Sequence, residues 1–292
     1  MPEAMQVHCK SKGCSGGALL AFSQMSGDAF LSWGWRIPFA LSIVLVGIGL
    51  WIRLRILETP VFRRLAAERK IERTPIIEVG KKQPGTILST ALARVSEQAP
   101  FYVFTAFIFA YGTGVLHVSR DLLLTAVLCA TLLSAVTIPL SGHISDRIGR
   151  KKMYMIGCAT MGIFGFIYFG LIDTGLPLLI FIAIVASLIP HAMQYGPQAA
   201  LIAESFTPRL RYSGSSIGCQ LASIIAGGPA PLIATALFAS YKSGAPIAIY
   251  ILICSIISII ATAFLKDYTG RDISAEYDPD VQAWSTMSLR SS

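Results

Sequence analysis

Arg94 and Glu97 lie three residues apart inside Thr86 to Thr113, a stretch that is otherwise mostly apolar. On a helix this spacing puts both side chains on one face, within pairing distance. Ionised groups in apolar surroundings are costly, so they default to a functional assignment. Two chemistries fit the pair. It can be an internal ion pair that fixes packing, or Arg94 can hold a solute carboxylate while Glu97 supplies the counter-charge or takes a proton. Pro100 follows and can loosen the backbone there.

A second constellation is His191, Gln194, Tyr195 and Gln198, spaced i, i+3, i+4, i+7, which makes one polar stripe on a helix. Pro190 and Pro197 bracket it and permit irregular backbone at mid-depth. Histidine titrates near neutral pH, so the stripe can relay protons and line an aqueous cavity. The alternative is a hydrogen-bonded packing stripe. Gln220, on the following helix, is placed to reach the same cavity. The third constellation is GHISDRIGRKK, Gly142 to Lys152, read as a tight glycine turn. It sets Asp146 among Arg147, Arg150, Lys151 and Lys152, with Gly142 and Gly149 flanking. An acid among bases suits a latch that pairs across helix ends in one state and parts in another. A plain basic loop is the other reading. His117 and His143 are expected in loops.

Enzymatic chemistry has no foothold, because no nucleophile–base arrangement, Walker loop or zinc spacing occurs. His8, Cys9 and Cys14 lack a fourth ligand, and Cys129, Cys158, Cys219 and Cys254 lie in apolar stretches as small hydrophobes. Neither a metal nor a cofactor is expected.

The elements that must position these groups follow from composition. Of 292 residues, 54% are hydrophobic and 14% charged, with a net charge of +8. Soluble domains carry about 25% charged residues, so a cytosolic enzyme, a nucleic-acid binder and a disordered chain are all excluded. A helix needs about 20 apolar residues to cross roughly 30 Å of hydrocarbon. Seven segments qualify: about Ile37 to Arg53, Thr86 to Thr113, Leu122 to Leu140, Met153 to Ile172, Leu178 to Ile202, Ser213 to Phe238, and Pro246 to Leu265. No ten-residue alternation recurs, so the expectation is an all-α membrane protein of about seven transmembrane helices, not a β-barrel. Ser215, Ser216 and the small run Ala226 to Pro229 read as close helix packing.

Orientation follows from the connectors. Arg53 to Lys82 holds nine basic residues, the next connector only Arg120, and the next Arg147, Arg150, Lys151 and Lys152. The turn at Asp173 has none, the following one has Arg209 and Arg211, and the last has Lys242 alone. This alternation places the long connector and the carboxyl tail in the cytoplasm. The division is residues 1–32, one helix within 33–54, a basic cytoplasmic loop at 55–85, a six-helix unit at 86–265, and a cytoplasmic tail at 266–292. The loop's acids, Glu58, Glu68, Glu72 and Glu78, suit a solvated segment or a short surface helix. The acidic tail is read as a solvated end. Gly17 to Met25 is too short to span.

GHISDRIGRKK resembles motif A of the major facilitator superfamily, GxxxDRxGRK. GWRIPF at Gly34 to Phe39, RLRILETPVF at Arg53 to Phe62 and AESFTPRLRYSG at Ala203 to Gly214 resemble the metabolite:proton symporters, which include proline/betaine, shikimate and dicarboxylate carriers. The resemblance implies twelve helices in two six-helix halves with the long loop between them. The helix at Ile37 would be the sixth, Thr86 to Leu265 the second half, and Gly17 to Met25 the end of a fifth. The first four helices and most of the fifth would then be absent, with the start of the chain unmatched. The implied function is secondary transport of an organic acid, amino acid or betaine by alternating access in a bacterial-type inner membrane. Solute and protons are the implied partners, together with lipid and a missing amino-terminal half. By the same resemblance, Glu204 and Arg211 join Asp146, Arg147 and Arg150 in closing an inner gate. The chain alone is expected to insert without accumulating solute. An inert remnant, a seven-helix receptor and a non-transporting binding or regulatory subunit are the alternatives.

Overall fold

The structure, a computed structural model, describes residues 36–55, 75–207 and 210–267. The His8, Cys9, Cys14 cluster, the Gly17 to Met25 segment, most of the central loop, Arg209 and the acidic tail from residue 268 lie outside the described residues.

All regular structure among the described residues is helical. α1 is Arg36–Arg55, α2 Pro75–Lys82, α3 Pro84–Ala93 and α4 Val95–Tyr102. A π-helical turn, Val103–Phe107, joins α4 to α5, Ile108–Gly114. The long helices follow: α6 Arg120–Ile148, α7 Arg150–Ile172 and α8 Pro177–Glu204. α9, Arg211–Ala222, passes through a second π turn, Ser223–Gly227, before α10, Ala230–Tyr241, and α11 is Ala245–Phe264.

Among the described residues, five helical stretches are long and apolar enough to cross a membrane: α6, α7, α8, Arg211–Tyr241 and α11. Seven were expected. α1 is helical over 20 residues, but its strongly apolar part is only Ser42–Ile52. The Thr86 segment is helical as foreseen, yet it is cut at Arg94 and again by the π turn, so it is no single uninterrupted rod. The loop expected at 55–85 also has structure near its end. α2 carries a Glu78–Lys82 ion pair at 2.6 Å and buries Val79 against Ile202, Phe206 and Leu210.

α8 packs along α6 and α7, while α11 packs against α7, α3 and α4. α9 lies on α3, and the second π turn lies on α4. In hydrocarbon the interior gains little from hydrophobicity alone, so close approach between backbones carries the packing. The α6–α8 contact shows this: a Cβ on Gly196 would stand 2.7 Å from Gly142 N and 2.8 Å from Ile138 O. The main core gathers Phe104, Phe107, Tyr168, Phe169, Ile180 and Ile247. Outward faces carry Leu132, Val136, Ile163 and Leu232, all well exposed, as lipid-facing positions require.

Candidate functional site

The break between α3 and α4 creates the site. Arg94 N donates to Ala91 O at 3.2 Å, three residues back, and Glu97 N donates to Arg94 O at 3.1 Å. The ladder therefore tightens locally, and the two ionisable side chains emerge at the joint. Arg94 and Glu97 are 5% and 3% exposed. Arg94 Nη2 donates to Glu97 Oε2 at 3.0 Å, and Arg94 Nη1 donates to Cys219 O on α9 at 3.1 Å.

α8 supplies the other wall. Gln198 Nε2 donates to Glu97 Oε2 at 3.1 Å, and His191 Nε2 stands 3.3 Å from Glu97 Oε1. Pro197 sits inside α8 beside Gln198, so this helix runs on through both of its internal prolines, Pro190 and Pro197. His191 is held between two rings, Phe101 at 4.9 Å and Tyr195 at 5.3 Å between centroids. The carboxylate thus collects three nitrogen partners from two sides, as a buried charge must. Arg94 Nε and His191 Nδ1 are buried without a hydrogen-bond partner among the described residues. These are two nitrogens beside a carboxylate that a bound polar molecule could engage.

The predicted polar stripe divides. His191 and Gln198 turn to Glu97, and Tyr195 is half-buried against His191. Gln194 does not join them. It is fully buried, donates to Gly157 O at 3.2 Å and accepts from Cys158 Sγ at 3.5 Å, so it ties α8 to α7. Gly157 is what lets it approach, since a Cβ there would stand 2.7 Å from Gln194 Cγ. Gln220, expected in the same cavity, is exposed on α9. One member was missed: Tyr154 on α7, 1% exposed, lies 3.5 Å from Gln198 Nε2 and donates to Ala93 O at 2.9 Å. Its only sequence signal was a hydroxyl inside an apolar span.

GHISDRIGRKK is not the glycine turn that was expected. Gly142 to Ile148 complete α6, and α7 begins at Arg150, so Gly149 alone makes the corner, at φ 103°. His143 accordingly lies in a helix, not a loop. A non-glycine residue avoids that backbone region. The corner sets Arg150 against Asp146: Arg150 Nε and Nη2 donate to Asp146 Oδ1 at 3.1 and 3.0 Å, and Nη1 pairs with Glu204. Arg150 opens α7 and Glu204 closes α8, each at the end its own helix dipole disfavours, so pairing relieves both. Arg147 is exposed. Arg211 is half-buried, and its Nε and Nη2 have no hydrogen-bond partner among the described residues, so it does not complete this cluster. Lys151 instead donates to Ala263 O and Leu265 O at 2.7 and 2.6 Å, capping α11.

Comparison with known proteins agrees with this architecture. A family profile for the Major Facilitator Superfamily matches residues 86–290. Over 261 residues the chain is 36% identical to a shikimate transporter of Escherichia coli K12, covering 87% of this chain and 59% of that protein. An inner membrane metabolite transport protein of the same organism is 30% identical over 252 residues, covering 85% and 57% respectively. Its proline/betaine transporter is 24% identical over 270 residues, covering 88% and 53%. The chain therefore spans somewhat over half the length of these curated relatives. With helices throughout its described residues, five of them able to cross a membrane, and a profile match across most of its length, this multi-pass membrane chain belongs to the Major Facilitator Superfamily.

Proposed function

We propose that residues 86–265 serve as one half of a secondary transporter for a small organic metabolite, working by alternating access and coupled to protons. The single observation that carries this reading is the Arg94–Glu97–His191–Gln198 cluster. It buries two charges where four stretches of helix meet, and it leaves two nitrogens available to a polar ligand. Arg94 would take the solute's carboxylate, and Glu97 would exchange its bond to Arg94 for a proton as the solute enters. A neutralised Glu97 no longer competes for the guanidinium, so proton and anion would bind together. His191, with Tyr195, would hand protons to this carboxylate. The Arg150–Asp146–Glu204 cluster would close the cytoplasmic end, with the central loop and carboxyl tail on the cytoplasmic side of an inner membrane. The named substrates of the relatives, shikimate and proline/betaine, each carry a carboxylate, which supports the role given to Arg94.

The test reconstitutes the chain alone, and together with the amino-terminal half of the E. coli shikimate transporter, and measures radiolabelled shikimate, proline and betaine uptake under an inward acid gradient. Uptake is expected only with both halves, and Arg94→Ala and Glu97→Gln should abolish it. Unchanged uptake in both variants would remove these residues from the site. Accumulation by the chain alone would refute the two-half reading. A label at Asp173 should react from outside and one at His143 from inside.

A further inference from the structure

The joint at Arg94 is held open by residues from other helices. In a continuous helix Ser96 N would donate to Leu92 O, and Glu97 N to Ala93 O. Neither bond forms here. Ser96 N donates instead to Ser258 Oγ of α11 at 2.8 Å, and that same hydroxyl donates to Leu92 O at 3.0 Å. One side chain is thus inserted into a single rung of the ladder, accepting from its donor and donating to its acceptor. The next rung is opened in the same way: Ala93 O accepts from Tyr154 Oη of α7 at 2.9 Å, while Glu97 N turns back to Arg94 O. Ser255, one turn before Ser258, meets Ser96 Oγ at 3.3 Å. Ser96, Ser255, Ser258 and Tyr154 are all fully or nearly fully buried, so no solvent can substitute for these partners. An inserted side chain is a recognised cause of a helix kink, and in hydrocarbon the freed backbone groups must be paired this way.

We infer that Ser258 and Tyr154 are positioning residues, which wedge two consecutive rungs of the α3–α4 ladder and so decide where Arg94 and Glu97 stand. The inference rests on the proposed role of that pair, but the geometry it claims can be measured separately. Without the Ser258 hydroxyl, Ser96 N and Leu92 O are left buried and unpaired, and the shortest remedy is to bond each other. That closes the first of the two opened rungs and swings α3. Leu88 lies six residues before Arg94, about 9 Å along the axis, and a kink of at least about 20° displaces it by roughly 3 Å when removed.

The experiment places genetically encoded spin labels at the exposed positions Leu88 and Leu140 of the full chain in nanodiscs and measures their separation by pulsed dipolar spectroscopy. A second pair, Leu140 and Ile163, reports on whether α6 and α7 remain assembled. S258A should shift the Leu88–Leu140 distribution by roughly 3 Å and leave the control pair unmoved, while S258T, which keeps the hydroxyl, restores the original distance. An unchanged Leu88–Leu140 distribution in S258A overturns the inference. Should S258A lose the control distance, Y154F is read at the same labels: a shift supports the wedge, and none overturns it. In the two-half uptake assay S258A should lower shikimate uptake at least about tenfold, since small misplacements at a site cost this much, with rescue by S258T. Absence of uptake from every version would refute the transport reading and leave the distance result standing.

Discussion

Replacing Glu97 by glutamine probes the most deeply buried arginine–carboxylate pair among the described residues. The carboxylate is 3% exposed, with Arg94 at 3.0 Å, Gln198 at 3.1 Å and His191 at 3.3 Å. Glutamine keeps the shape but removes the charge, and it offers one acceptor oxygen where three nitrogens converge. Its own amide must then face another donor. Among the described residues Arg94 then keeps Cys219 O, at 3.1 Å, but no anion to offset a buried guanidinium. Stranding one member of a buried pair costs about 3–5 kcal/mol, whereas a neutral hydrogen bond is worth about 1 kcal/mol. At roughly 2–4 °C per kcal/mol, Tm should fall by about 6–20 °C, measured by thermal unfolding of the purified chain in detergent. Arg94→Ala should behave similarly. The double variant Arg94→Met, Glu97→Leu strands neither charge, so it should be less damaging than the summed losses of Arg94→Met and Glu97→Leu made singly by at least about 3 kcal/mol. A shift under about 2 °C for Glu97→Gln, about what half to one kcal/mol gives, would refute the reasoning. So would strict additivity in the double variant, because either result would mean that the two charges are not sustaining each other.

Four further outcomes follow from packing and backbone geometry, each read by the same unfolding assay. Gly196→Ala drives its Cβ to 2.7 Å from Gly142 N and 2.8 Å from Ile138 O, forcing α6 and α8 apart, and should cost about 1–3 kcal/mol. Gly142→Ala meets nothing nearer than Gly196 O at 3.7 Å and should be neutral or stabilising by about 0.5–1 kcal/mol, so equal effects at the two glycines would contradict the described contact. Gly149→Ala puts a Cβ on backbone at φ 103° and 3.2 Å from Asp267 Oδ2, and should lose about 1–3 kcal/mol. Lys151→Met removes the donor shared by Ala263 O and Leu265 O and should cost about 1 kcal/mol, with hydrogen exchange rising at the end of α11; unaltered exchange there would discount the cap.

The helical class and the approximate course of the long apolar helices were legible in the residues, because a chain crossing lipid must satisfy its backbone locally and be apolar over a known length. The i, i+3 spacing of Arg94 and Glu97 likewise sufficed to pair them, since neighbours on one helix meet whatever surrounds them. What lay beyond reach was set by partners far away along the chain. Periodicity showed a polar stripe on α8, but only the placement of α7 and α4 decided that Gln194 bonds Gly157 while Gln198 bonds Glu97. The resemblance set both Glu204 and Arg211 beside the charged corner, yet only the packing of α8 decided that Glu204 reaches Arg150, while Arg211 pairs with neither Asp146 nor Glu204 among the described residues. Pro100 pointed to a loosened backbone, but nothing in Thr86 to Thr113 placed the break at Arg94, because the atoms that open it belong to Ser258 and Tyr154. A helix can encode its own ladder, but not the hydroxyl that another helix inserts into it.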